Sequence, residues 1–336
     1  MDYLYTIRPD EYMIDFDIRM NGMNRIIASN LTTLSMVWRM YLPQQERGRQ
    51  NENSYTTIKY KFYQDEVGGL RMRSNKPEME EDVPTRVEWL AYKDQFFSSV
   101  LISEKNPFQN AYIKSIRLPE DDPYLRLFES ELSVPYQPAD QVDIPMKMYF
   151  GPNQYKTLKK YGMELTELVY LGKNIIRWIN RYVIISIFNW LHKYISNYGI
   201  IILLLTIIIK TVLFPLTYRS YVSQAKMRVL KPFVDEINAR YPKREDAMKK
   251  QQAQMALYKK AGVSPLGGCL PMILQLPILY AMFRFFPTSI ELRQQSFLWA
   301  HDLSTYDSIL QLPFTIPMYG DHVSLFTILM TVSTIV

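Results

Sequence analysis

One cysteine among 336 residues leaves no internal disulfide framework, and the compartment cannot be read from cystines. Three histidines, His192, His301 and His322, stand far apart and form no metal-ligand spacing. No GxxxxGK(S/T), HExxH or GxSxG motif occurs, so P-loop, zincin and nucleophile-elbow chemistries have nothing to rest on. The Gly267-Gly268 pair opens an apolar run and is no phosphate loop. Nothing in the pattern supports enzyme chemistry, and no cofactor is implied. Met1 is followed by neither a basic n-region nor an apolar h-region.

Charge of one sign is scarce except in one place. Residues 1–197 carry 25 basic and 25 acidic side chains. Residues 218–262 carry 11 basic and 4 acidic ones, more than the chain's whole net excess of +6. Residues 287–321 hold Arg293 alone against Glu291, Asp302, Asp307 and Asp321. Hydrophobic residues make up 48% of the chain, yet the mean hydropathy is −0.16, so the apolar residues are concentrated in runs. The length suits two domains.

Residues 1–160 predict a β-sandwich domain. Tyr12, Ile14, Phe16, Ile18 and Met20 alternate with Met13, Asp15, Asp17 and Arg19, and Ile58, Tyr60 and Phe62 with Lys59, Lys61 and Tyr63. Further strands are expected near Arg86–Tyr92, Phe96–Ser103, Ala111–Leu118, Leu125–Val134 and Pro145–Phe150, separated by turn chemistry such as Asn21-Gly22 and Gly68-Gly69. Residues 161–197 switch to helical period. Leu165, Leu168, Gly172, Ile175, Ile179, Val183 and Ile187 form one stripe, with Arg177, Arg181, Trp178 and Trp190 nearby. That pattern fits an amphipathic helix in a membrane interface, or else a helix packed on the β-domain.

Residues 198–336 predict a membrane core, with spans at 198–217, 266–286 and 323–336. The first, NYGIIILLLTIIIKTVLFPLT, is hydrocarbon from Ile200 to Phe214 except for Thr206, Lys210 and Thr211. An ammonium group in the bilayer is costly, so Lys210 marks a functional site unless its stem snorkels to an interface. Pro271 and Pro277 free carbonyls in the second span, which lipid cannot satisfy. Gln275, with Thr206 and Lys210, then lines a wet face, or Gln275 makes an interhelical hydrogen bond with no cavity. The third run stops at Val336, so the chain is expected to be a fragment, lacking also an exporting signal or anchor upstream. The positive-inside rule places the 218–262 loop in the cytoplasm and residues 1–197 and 287–321 across the membrane. The loop reads as a basic helical hairpin. Val222, Ala225, Val229, Phe233 and Ile237 form one stripe, and Ala247, Met248, Gln251, Met255 and Tyr258 a second, broken by Tyr241-Pro242 and closed by Gly262. It is a topogenic loop on anionic lipids, or a docking surface for nascent protein or ribosomal RNA.

The first run, then SQAKMRVLKP, QMALYKKAGVSPLGGCLPMILQLPIL, SIELR and LWAHDLSTYD, resembles the YidC membrane protein insertases, bacterial relatives of the Oxa and Alb insertases. The style of LGKNIIRWINRYVI and PTSIELRQ is similar to the Bacteroidetes branch. The resemblance implies a periplasmic β-domain ahead of five core helices in the inner membrane. These would enclose a hydrophilic groove open to cytoplasm and lipid. It implies groove roles for Lys210, Thr206, Gln275 and Leu279. Many members have arginine where this chain has Lys210, which keeps the charge without the bidentate fork. It also implies a docking role for Arg219, Lys226, Arg228, Lys231, Lys249 and Lys250 on the hairpin. The implied partners are nascent membrane proteins, the Sec translocon, ribosome or targeting machinery, and anionic lipids, with no small-molecule substrate. Two other classes stay open: a transporter or channel with Lys210 as an ion site, and a membrane-anchored assembly scaffold.

Overall fold

The computed structural model describes residues 1–70, 76–243, 246–263, 270–316 and 320–335, and the eleven strands described within the first 152 residues pair antiparallel into two sheets. The strands are β1 (Asp2–Ile7), β2 (Met13–Asn21), β3 (Thr33–Pro43), β4 (Thr57–Phe62), β5 (Val67–Gly69) and β6 (Glu78–Val83). They continue with β7 (Val87–Lys93), β8 (Phe97–Ser103), β9 (Ala111–Arg117), β10 (Tyr124–Pro135) and β11 (Gln141–Pro152). One sheet runs β1-β2-β11-β8-β7-β4-β5 and the other β3-β10-β9-β6. Alternation aims one face of each sheet inward. Phe16, Ile18, Ile58, Leu90, Leu101 and Met146 of the first sheet meet Leu42, Ile113, Phe128, Leu132 and Val134 of the second in one core. Tyr92 stitches the sheets together. Its ring stacks on Trp38 at 4.0 Å, and its hydroxyl lies 2.7 Å from the Trp38 carbonyl and 2.9 Å from Ser130 Oγ.

The β-sandwich read from the sequence is present. Four strands went unread: β1, β3, β5 and β6. β3 carried the period-two signal in Leu34, Met36, Trp38, Met40 and Leu42. β1 is exposed throughout, so no buried face marks it.

Two compact units divide the chain. The first gathers Met1–Tyr170, Thr288–Arg293 and Ser304–Val336, and the second Leu171–Pro287 and Gln294–Leu303. Short helices α1 (Arg49–Tyr55) and α2 (Tyr155–Tyr161) belong to the first unit. The helical stripe expected from Leu165 begins only at Asn174. Leu165–Leu168 is instead a tight 3₁₀ turn of the first unit, with Leu165 and Leu168 fully buried. Gly172, at φ +88°, then redirects the chain. In the second unit α3 (Asn174–Ile179), a π-helical turn (Asn180–Ile184) and α4 (Ile185–His192) follow one another. Past Ile179 the π turn shifts the phase of the buried stripe to Ile184, Ile185, Phe188 and Leu191, leaving Val183 and Ile187 half-buried, while Ile175 ahead of it is exposed. Trp178, Tyr182, Trp190, Arg177 and Arg181 are exposed around it.

α5 (Tyr198–Arg240) is one continuous helix of 43 residues. At ~1.5 Å per residue it is roughly twice the thickness of a hydrocarbon core. It is the one described helix long and apolar enough to cross a membrane, by length and composition. No break separates the apolar run from the basic segment, although Pro215 and Pro232 lie inside it. α6 (Ala247–Lys260) and α7 (Leu270–Phe285) complete the unit's helices. α7 has 16 described residues, short of the expected 266–286 span, whose first residues, with Gly267 and Gly268, lie outside the described ones. In the first unit β12 (Leu310–Ile316) and β13 (Gly320–Val323) form a hairpin ahead of α8 (Leu325–Ile335).

Candidate functional site

Asn197 starts α5, its side chain accepting a hydrogen bond from the Ile200 N–H at 3.1 Å, a side-chain N-cap. A Cβ on Gly199 would fall 2.1 Å from the Phe297 ring, so glycine alone admits that ring to the first turn. Ile201 and Leu205 are buried on the packed side of α5. Lys210 lies nine residues beyond Ile201, about half a revolution around the helix at roughly 100° per residue. It therefore faces away from that packing and is exposed. Among the described residues it has no hydrogen-bond or ion-pair partner. Thr206, one turn earlier, is half-buried and returns its hydroxyl to the Ile202 carbonyl at 2.9 Å, which hides its polarity.

α7 packs against α5 and α3. On it Gln275 is half-buried, and Leu279, one turn on, is 56% exposed. Ala281 and Phe285 are buried, and Phe285 meets Phe188 edge-on at 5.5 Å. Among the described residues no hydrogen bond joins Gln275 to Thr206 or Lys210. The four residues share two adjacent helices and partial or full exposure rather than a direct contact.

The basic segment of α5 and α6 form a helical pair. Gln254 Nε2 donates to Asn238 Oδ1 at 3.0 Å between them. α6 ends in a Schellman cap: the Gly262 N–H reaches the Lys259 carbonyl and the Val263 N–H the Tyr258 carbonyl, with Gly262 at φ +62°. Arg219, Lys226, Arg228, Lys231 and Lys249 are exposed and Lys250 half-exposed. Lys249 reaches Asp246 at 3.4 Å. The two apolar stripes do not seal each other. Val229 is 72% and Met248 71% exposed, with Phe233 and Met255 about half so, and no residue of α6 is buried. The helical pair thus presents apolar and cationic groups together.

A polar cluster in the first unit escaped the sequence reading. Asn153 is buried after β11. Its Nδ2 donates to the Asp94 and Phe97 carbonyls at 3.0 and 3.1 Å, and its Oδ1 accepts from Ser98 Oγ at 2.6 Å. Beside it Glu52 accepts the Gln45 and Glu46 backbone N–H groups at 3.0 and 3.1 Å. Burial, reinforced by the Glu52 charge, pushes the Asp94 carboxyl up to about 7. Burial also raises Glu52, and it lowers Lys93, together with the charge of Lys59, to about 8. Lys93 donates to the Tyr55 and Asp94 carbonyls at 3.0 and 3.1 Å. The segment Thr288–Arg293 ends on the same region. Arg293 Nε lies 2.6 Å from Glu46 Oε1 with its guanidinium over the Phe97 ring, and Gln154 Nε2 donates to Glu291 at 3.3 Å. Nothing local in SIELR shows that its arginine pairs with a residue 247 positions away.

Residues 1–185 match the YidC periplasmic domain family, and residues 190–336 the 60Kd inner membrane protein family. A membrane protein insertase YidC of Parabacteroides distasonis is 47% identical over all of this chain and 54% of its own length. Those of Bacteroides fragilis and Porphyromonas gingivalis are 47% and 40% identical, again over the whole chain and 54% and 55% of theirs. The chain spans about half the length of the curated relatives it matches. With both family matches falling in order along it, the chain belongs to the YidC family of inner membrane proteins that carry a periplasmic domain.

Proposed function

We propose that this chain handles client segments for a membrane protein insertase, as its relatives' names imply for them. The observation that carries the reading is Lys210, exposed and without a hydrogen-bond or ion-pair partner among the described residues, in the one described helix long and apolar enough to cross a membrane. A client helix must bring a polar or acidic flank through hydrocarbon. Water and the Lys210 ammonium would solvate that flank and shorten the dry path, while Leu279 and Gln275 offer the sliding side of α7. The client's apolar helix then partitions into lipid, which supplies the driving force without nucleotide or cofactor.

Charge asymmetry supports a cytoplasmic α5–α6 hairpin and a periplasmic β-domain, with α7 and α8 as further membrane segments. On that topology the α3–α4 stretch lies in the outer interface through Trp178, Tyr182 and Trp190. The hairpin's exposed Val229, Phe233, Met248 and Met255 beside its lysines and arginines fit a receiving surface for apolar clients. That surface also suits ribosome or targeting machinery and anionic lipid, while the β-domain is the side available to the Sec translocon.

The test is complementation in cells depleted of their own insertase, using the full-length protein and a single-span client with an acidic exported tail. Lys210→Arg retains insertion, whereas Lys210→Ala and Lys210→Glu lose it at equal protein levels, by at least roughly tenfold if ~1.4 kcal/mol or more is lost. Equal insertion by all three variants removes the charge from the mechanism and favours an assembly scaffold.

A further inference from the structure

Between α7 and α8 the chain makes a small apolar sheet that client handling does not use. β12 pairs with β13 at Leu310–Val323, Gln311–His322 and Ile316–Gly320, and its register shifts between Gln311 and Ile316. β12 contributes more residues than β13 across that interval, so it bulges. Pro313 lies in the bulge, where its missing N–H leaves no ladder position empty. Leu310, Leu312, Phe314 and Ile316 recur at alternate positions. Leu310 is 58% and Phe314 61% exposed, and Ile309 and Ile316 are exposed too. A two-stranded hairpin is at best marginal in water, and one that leaves its largest apolar groups uncovered needs a nonaqueous neighbour.

Its base is fixed to the start of α8. The buried Asp307 carboxylate accepts the Leu325 and Phe326 N–H groups at 2.8 and 3.1 Å and also the Ser324 hydroxyl. Ser324 Oγ accepts the Thr327 N–H at 3.1 Å, a second cap on the same turn. The Ile309 N–H reaches the Val323 carbonyl at 3.0 Å, and the Tyr306 ring stacks on His322 at 3.9 Å. The start of α8 is thus tied to the hairpin by three hydrogen bonds to the Asp307 carboxylate and by the single linking residue Ser324. α8 itself exposes Ile328, Leu329, Met330, Val332 and Ile335. Residues 294–336 contain no lysine or arginine.

We propose that the β12–β13 hairpin lies in the headgroup and upper acyl layer of the bilayer, with Leu310, Phe314 and Ile316 in lipid and its depth set by the Asp307 cap on α8. The proposal rests on α8 being a membrane segment. Lipid is the occupant because the hairpin is continuous with a helix that carries no charged side chain and returns its exposed Thr331, Ser333 and Thr334 hydroxyls to its own carbonyls. The absence of basic residues rules against electrostatic capture by anionic headgroups. Attachment here is by apolar area, with Tyr306 and His322 at the polar level.

The experiment uses the whole chain with Cys269→Ser, reconstituted in phosphatidylcholine vesicles. Phe314→Cys, Gln311→Cys and Met330→Cys are each labelled with an environment-sensitive fluorophore. Lipids bearing a nitroxide at a shallow or a deep acyl position, and aqueous iodide, serve as quenchers. The shallow nitroxide should cut emission at Phe314 roughly twofold or more while iodide has little effect there, as expected for a group at the headgroup boundary. The probe at Met330 should be quenched by the deep nitroxide. Iodide quenching at Phe314 as strong as at Gln311, or quenching by neither agent, overturns the proposal, the latter by showing a protein cover. If Met330 is quenched by lipid and Phe314 is not, the hairpin proposal fails alone. If neither is, the membrane reading of α8 fails with it.

Discussion

Asp94, Glu52 and Lys93 are ionisable groups buried within the first unit, where an isolated charge is costly. Their shifts set a pH dependence whose sign follows from proton counting. An unfolded Asp94 ionises near 3.8, but the folded one holds its proton to about 7, and Glu52 moves in the same direction. Across that window the folded state binds more protons than the unfolded state, so stability falls as pH rises. Lys93 acts above it. Its folded value near 8 lies below the ordinary 10.5, so the unfolded state binds more protons between those values and stability rises again. A minimum is expected between about pH 7 and 8. Thermal unfolding of the first unit, followed by tryptophan fluorescence of the detergent-solubilised chain, should show a higher midpoint at pH 5 than at pH 7.5. Asp94→Asn should flatten that difference. A wild-type midpoint that rises steadily from pH 5 to 7.5 would sink this account.

Among the elements, α6 shows how much a local signal can say. Gly262 was legible as its cap because a left-handed C′ residue is a short-range requirement, and the Schellman bonds are there. A Cβ on Gly262 would meet nothing within 4 Å, so Gly262→Ala costs only the left-handed conformation, ~1 kcal/mol. Amide exchange in the last turn of α6 should accelerate by several-fold, with the β-sandwich unchanged; an unaltered rate would mean that the cap does not hold that turn. The sandwich and the long apolar helix were legible for a similar reason, since period two and unbroken hydrocarbon are local patterns. The stripe through 165–187 misled. It joined a buried 3₁₀ turn to a helix whose π-helical turn resets the phase, and a uniform 3.6 period cannot anticipate either. Lys210 stood out by cost alone, yet sequence could not tell that Thr206 bonds its own helix and leaves the lysine as the polar group on that face. Asn153 gave no signal, because its partners, two backbone carbonyls and the Ser98 hydroxyl, are brought in by the β7–β8 turn more than fifty residues away.

At the scale of the molecule, the chain enters the first unit, leaves it after Tyr170 and returns for Thr288–Arg293 before returning again at Ser304. That short return is held by a relay inside the unit. Glu52 grips the backbone of Gln45 and Glu46, which places the Glu46 carboxylate for Arg293, and Phe97 lies beneath the guanidinium. Thr288, Ser289 and Leu292 are buried with it. The pair is only partly exposed, so losing one partner strands the other in a poor solvent. Arg293→Ala should therefore destabilise the return by about 1–3 kcal/mol, and Glu46→Ala by a similar amount. The two losses should not add, because both remove one interaction. Exchanging the charges, Glu46→Arg with Arg293→Glu, should restore part of what either reversal alone destroys. The readout is amide exchange and protease cleavage at 288–293 in the intact chain. If the double alanine variant loses the sum of the two single losses, Arg293 and Glu46 act separately, and the return is held by the burial of Leu292 and its neighbours alone.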